Sequence, residues 1–149
     1  MIPDKWYLSK LYQLISKSPR TTKEIREWLK KRKAQPEQVE TIVQKLLELE
    51  LLNDTTYTHS YIRTQILIKH QSARQLIFKL QKKGIKSELV RDVLEEEGHD
   101  EVGSARYELQ KQRWRWTSFE PKERLQKQRE FLARKGFSFD VIKKAESDE

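Results

Sequence analysis

The chain of 149 residues contains no cysteine, which excludes disulfides and thiolate-held metals and agrees with a reducing compartment. It has no apolar run of the roughly eighteen residues that a spanning helix needs, and no charged-then-apolar segment at its start. A soluble, cytoplasmic protein away from any membrane is expected. Histidine is scarce: His59, His70 and His99 stand far apart, without the HExxH spacing of a metal or base site. A Walker loop, GxGxxG, GxSxG and an EF-hand loop are all absent. No metal, cofactor or enzymatic activity is therefore expected. The apolar fraction of 36% is lean for a globule and suits an elongated shape.

What is present is helix, in a repeated form. In residues 72–94, Ser72 and Gln75 have the spacing of a capping box, and Ala73, Leu76, Ile77 and Leu80 then recur on one helical face. Lys82, Lys83 and Gly84 supply the stop, with Gly84 suited to a left-handed position. Leu89, Val90, Val93 and Leu94 line a second helix, which completes a helical hairpin. About fifty positions earlier, Thr21 and Glu24 repeat the box before Ile25 and Leu29, and Val39, Ile42 and Val43 match Val90, Val93 and Leu94. About fifty positions later, Leu132, Gly136, Phe137, Val141 and Ile142 match Leu80, Gly84, Ile85, Leu89 and Val90. Such a period marks an array whose units bury their apolar stripes against neighbours.

Each hairpin has a leading helix. In 1–18 the stripe is Trp6, Leu8, Leu11, Tyr12, Leu14 and Ile15; in the middle it is Tyr57, Tyr61, Ile62 and Ile66, read as helix despite the strand-like Ile66, Leu67 and Ile68. Pro36 is placed to open the second arm of the first hairpin, Asn53 and Asp54 to end it, and residues 98–103 read as a flexible acidic linker. Residues 146–149 are expected to fray. The expected fold is all-α, an elongated tandem array of three three-helix repeats at 1–54, 55–99 and 100–149.

The net charge of +8 is unevenly spread. Across 55–91 the only acid is Glu88, against Arg63, Lys69, Arg74, Lys79, Lys82, Lys83, Lys86 and Arg91; Asp92, Glu95, Glu96, Glu97, Asp100 and Glu101 then follow without a base. The basic block is expected to meet a polyanion or an acidic protein surface. Phe78 falls opposite the Leu76 and Leu80 face, four residues from Arg74 and from Lys82, which suits either a partner contact or packing against a neighbouring unit. Its aligned positions are Glu27 and Glu130, so the repeat does not demand an aromatic there. Trp114 and Trp116, interleaved with Arg113 and Arg115, either stack on unpaired bases or fill the core; with Arg134 and Lys135 they form a secondary contact candidate. Trp28 is expected in the core.

Several segments together carry a family resemblance: TKEIREWLKKR, VETIVQKLLELELLND, YTHSYIRTQ, SARQLIFKLQKKGIKSELVRDVL and REFLARKGFSFDVIKKA. They resemble, in order and over nearly the whole chain, the RecX regulators of the bacterial recombinase RecA. The resemblance implies a non-enzymatic protein that binds RecA filaments on single-stranded DNA. Its expected effect is to inhibit recombinase, ATPase and coprotease activities, and so to modulate homologous recombination, DNA repair and the SOS response. Direct DNA contact and a monomeric state are consistent with it. Two departures stand out: Lys33 replaces the glycine of 84 and 136, and 68–71 lacks the family's glycine turn. The alternative is a winged-helix DNA-binding regulator, for which 21–52 supplies the helices but no β-hairpin turn follows.

Overall fold

The computed structural model describes residues 1–147, Leu67 by its backbone alone. Among them are α1 (Asp4–Lys17), α2 (Thr22–Lys31), α3 (Pro36–Glu48), α4 (Asp54–Lys69), α5 (Ala73–Lys82), α6 (Ser87–Glu96), α7 (Glu101–Gln112), a 3₁₀ turn (Arg113–Trp116), α8 (Pro121–Arg134) and α9 (Phe139–Ser147). No strand occurs among the described residues. The winged-helix alternative fails here, because α4 fills the place where its β-hairpin would stand.

Three separate apolar cores follow the three units. The first gathers Tyr7, Leu11, Ile25, Leu29, Val39 and Ile42, the second Ile62, Leu76, Leu80, Val90 and Val93, and the third Ala105, Leu109, Trp116, Phe131, Leu132 and Ile142. All three are built the same way, with the second and third helices of each unit closing over the first. The fold is thus a helical array of three three-helix repeats. In α1 the buried phase runs through Tyr7 and Leu11, while Trp6 is exposed. Tyr7 can be buried because its hydroxyl donates to the Arg32 carbonyl at 3.1 Å. Trp28 sits at the edge of the first core rather than within it, with the Arg32 guanidinium 3.8 Å from its ring centre.

Successive units are joined by one device used twice. Thr21 caps α2 by accepting from the Glu24 amide, and its hydroxyl also donates across the unit boundary to the Lys83 carbonyl at 2.6 Å. Ser72 caps α5 by accepting from the Gln75 amide, and donates across the next boundary to the Lys135 carbonyl at 3.0 Å. Both hydroxyls are fully buried and use their donor and acceptor capacity together, which a buried hydroxyl requires. Beside each hydroxyl, the amide of the next residue is taken by an acid opening the following unit. Thr22 N donates to Asp54 Oδ1 at 2.9 Å, and Ala73 N donates to Glu101 Oε1 at 2.7 Å. Each acid thereby sits at the positive ends of two helices at once.

The glycines follow from this contact. Gly84 and Gly136 take φ of 89° and 93°, next to the carbonyls that accept the clasp. A Cβ on Gly84 would stand 2.5 Å from the Lys23 Cβ, and one on Gly136 would stand 2.8 Å from the Ser72 hydroxyl. Lys33 occupies the matching turn at φ 61° with its side chain exposed. The turn itself tolerates a side chain; close approach of the preceding unit is what removes it. His70, at φ 47°, likewise supplies the left-handed turn after α4 without a glycine.

Three loop expectations change. Asn53 and Asp54 do not end α3, which stops at Glu48 with Glu50 at φ 59°; they open α4, whose Asn53 side chain accepts from the Thr56 amide. Residues 98–103 are not a flexible linker, since Asp100 caps α7 through the Gly103 amide and His99 Nε2 lies 2.9 Å from the Gln71 carbonyl. The acids are there to cap a helix. Glu146 is held by Arg129 at 2.6 and 3.0 Å, so α9 runs to Ser147, and Asp148 and Glu149 lie outside the described residues.

Gly84→Ala and Gly136→Ala should each lower stability by about 2 kcal/mol or more, since the left-handed cost of about 1–2 kcal/mol is joined by overlap with the preceding unit. Lys33→Gly should be neutral or stabilising by up to about 1 kcal/mol. Urea unfolding of the three variants tests this, and equal losses at all three positions would contradict the close-approach argument.

Candidate interaction surface

The basic block divides, once folded, into cations that hold the protein together and cations that face outward. Arg63 belongs to the first group. From α4 it grips Glu97 at the end of α6 through two nitrogens, each at 2.8 Å, which keeps the guanidinium above its ordinary pKa. His59 joins the same carboxylate at 2.7 Å and reaches Glu96 at 3.1 Å. Hydrogen bonds from Arg63 and then His59 hold Glu97 below the usual carboxylate range. Two acids at the end of α6, Glu96 and Glu97, are thereby tied to α4. Lys83 is also engaged. Burial pulls its pKa down, but Tyr57, Glu24 and Tyr61 outweigh this and leave it raised, with Glu24 of the first unit 3.7 Å away.

The outward group is centred on α5. Arg74, Phe78 and Lys82 follow one another at four-residue spacing and form one exposed ridge. Phe78 is 58% exposed, and the Lys82 ammonium lies 4.3 Å from its ring centre, so one ring face is held by a neighbouring cation. Lys79 is partly buried beside the ridge, and its pKa is lowered by desolvation and then by the charge of Lys69. Lys69, Arg74, Lys79 and Lys82 have no ion-pair partner among the described residues. Lys86 and Arg91 are exposed on the neighbouring segment and α6.

The second candidate set does not hold as one surface. Trp116 is only 4% exposed and packs edge-on against Phe131 at 5.3 Å, so it is a core residue and not a base-stacking platform. Trp114 is 73% exposed. Residues two apart would share a face in an extended strand, but the 3₁₀ turn of 113–116 sends them to different sides. Arg115 lies over Trp116 and Phe131, and Lys135 lies over Phe131. Arg113 and Arg134 are exposed.

Two domain models of one family match the chain: the second three-helix domain of RecX over residues 53–94 and the third three-helix domain of RecX over 100–145. The chain belongs to the RecX family. The regulatory protein RecX of Enterococcus faecalis is 39% identical over 139 residues, 91% of this chain and 49% of that protein. The one from Bacillus subtilis is 30% identical over 131 residues, 85% of this chain and 48% of that protein. The chain thus spans about half the length of these relatives. The crystal structure of RecX from Lactobacillus salivarius superposes with a TM-score of 0.88 at 25% identity, covering 95% of this chain and 93% of that one. A second crystal structure of regulatory protein RecX gives 0.87 at 27% identity, covering 97% and 72%.

Membership explains the repeat, whereas the cross-unit acids Asp54 and Glu101 carry no helical-periodicity signal, and from the sequence they read as a helix stop and as part of a linker. Glu97→Gln should lower the melting temperature at pH 7. Because the folded-state pKa of Glu97 is depressed, its contribution is complete above the unfolded value of about 4.3 and fades as pH falls through the folded one. The gap between variant and parent in a thermal melt should therefore begin to narrow as pH falls below about 4.3. Trp116→Ala should cost about 3–5 kcal/mol in urea unfolding, and Trp114→Ala within about 0.5 kcal/mol of nothing.

Proposed function

We infer that this RecX-family chain is a non-enzymatic regulator that binds RecA filaments assembled on single-stranded DNA and restrains their recombinase, ATPase and coprotease activities. In this reading it acts in the cytoplasm, as a monomer, on homologous recombination and the SOS response. The observation that carries the choice of surface is the α5 ridge of Arg74, Phe78 and Lys82, with an exposed aromatic between two outward cations and no acid paired to them among the described residues. Lys69, Lys79, Lys86 and Arg91 extend its charge; Arg63 and Lys83 support the fold beneath it. We take the repeats to run over 1–54, 55–99 and 100–149, with the basic unit in the middle.

An array suits this role physically. Side-by-side units can touch several protomers of a filament, so modest contacts add up to a long residence. Exposed cations at such a contact speed encounter and make it salt-sensitive. The names of the relatives support regulation.

ATP hydrolysis by RecA on single-stranded DNA, titrated with the protein at two salt concentrations, tests the proposal. Substoichiometric protein should slow hydrolysis, less so at high salt. A folded variant carrying Arg74→Gln, Phe78→Glu and Lys82→Gln should need roughly tenfold more protein for the same effect, about 1.4 kcal/mol of binding. Hydrolysis indifferent to the parent protein would overturn the function, and equal potency of parent and variant would overturn the surface.

A further inference from the structure

The two junctions of the array are built alike on one side and differently on the other. At each, the clasping hydroxyl and the opening acid of the next unit supply two points of attachment. In the first junction these are Thr21 on the Lys83 carbonyl and Asp54 on the Thr22 amide; in the second they are Ser72 on the Lys135 carbonyl and Glu101 on the Ala73 amide. Two points set a line and lock the angle along it, but they leave rotation about that line. A third point away from the line is needed to stop it. The three apolar cores are separate, so no shared core supplies one.

The second junction has that third point. Tyr107 lies six residues beyond Glu101 on α7, roughly 9 Å further along the helix. His70, just past the end of α4, stacks on its ring with centres 3.8 Å apart and planes 23° from parallel. His99, directly before the Asp100 cap of α7, adds another tie through Nε2, which lies 2.9 Å from the Gln71 carbonyl. Counted from the caps Asn53 and Asp100, the first-junction positions matching Tyr107 and His99 are Ser60 and Leu52; counted from Thr21 and Ser72, the one matching His70 is Pro19. Neither a ring stack nor a side-chain donor from Leu52 is available there. Pro19 and Ser60 instead line an open cleft of about 230 Å³, with Tyr57, Tyr61 and Thr64. Among the described residues no hydrogen bond, ion pair or aromatic contact joins the end of α1 to α4. The remaining ties of the first junction are Lys23 Nζ to the Lys82 carbonyl at 3.1 Å and Lys83 Nζ to Glu24 at 3.7 Å. Both sit beside the clasp and run through long side chains that follow a rotation.

We propose that the array has one hinge and one fixed joint: the first unit swings about the line through Thr21 and Asp54, while the second and third units move as one body. The cleft beside Pro19 and Ser60 is the space that opens and closes with the swing. The hinge is a property of the chain alone and needs no partner. Its consequence for a filament rests on the regulatory reading: the first unit can meet a protomer at a spacing that the other two units do not dictate.

The test uses the full chain with no RecA present. Because the chain has no cysteine, pairs introduced at exposed positions take nitroxide labels without background. Gln44→Cys with Glu95→Cys spans the first junction, and Glu95→Cys with Lys122→Cys spans the second. Pulsed electron paramagnetic resonance on frozen solutions should give a distance distribution roughly twice as broad across the first junction as across the second. Tyr107→Ser, which copies Ser60, should broaden the second distribution towards the first. His99→Leu, which copies Leu52, should broaden it in part, and both variants should keep the helical circular dichroism of the parent. Equal widths across the two junctions of the parent would overturn the proposal. So would a second distribution as narrow in Tyr107→Ser and His99→Leu as in the parent. Because no filament is present, failure here leaves the regulatory reading untouched, and failure of that reading leaves the hinge untouched.

Discussion

A side-chain hydroxyl that caps one helix and donates to the end of another is the contact on which the array depends. Thr21 and Ser72 each complete the start of a second helix in their own unit and tie it to the matching helix of the next. Helix starts have free amides and helix ends have free carbonyls, so a hydroxyl placed between them satisfies both at one point. The opening acids of the next unit, Asp54 and Glu101, take the adjacent amide and lock the angle. For the hydroxyl to reach, the two backbones must come close, and this is why a side chain is excluded at Gly84 and Gly136. A short polar contact thus fixes the spacing of units whose apolar cores never merge.

That arrangement has a consequence for the charge. If the units were loosely strung, the basic block of 55–91 and the acids that follow would collapse on one another. With α4, α5 and α6 held as one unit, Arg63 and His59 are the basic side chains of that stretch that pair with those acids among the described residues. The cations of α5 are left to face solvent together with Phe78. The ridge depends on how α4, α5 and α6 pack, although each of its residues obeys ordinary helical phase.

The helices, the apolar faces and the repeat were legible from the amino-acid order, because helical periodicity and caps are local properties. Ser72 with Gln75, Ile25 with Leu29, and Gly136 with Phe137 mark their elements without reference to anything distant. The family resemblance was legible for the same reason: it lies in core and turn positions. Only the tertiary structure decided which charges are free, which tryptophan is exposed, and which glycines answer to a neighbour. Lys33 and Gly84 occupy the same turn and differ solely in what packs against it, and Trp114 and Trp116 differ by two positions and by burial. The first difference arises from contacts between residues about sixty apart in the chain, such as Thr21 and Lys83, and the second from the 3₁₀ turn and the packing of Trp116 on Phe131; periodicity reports only the nearest few positions on a regular helix.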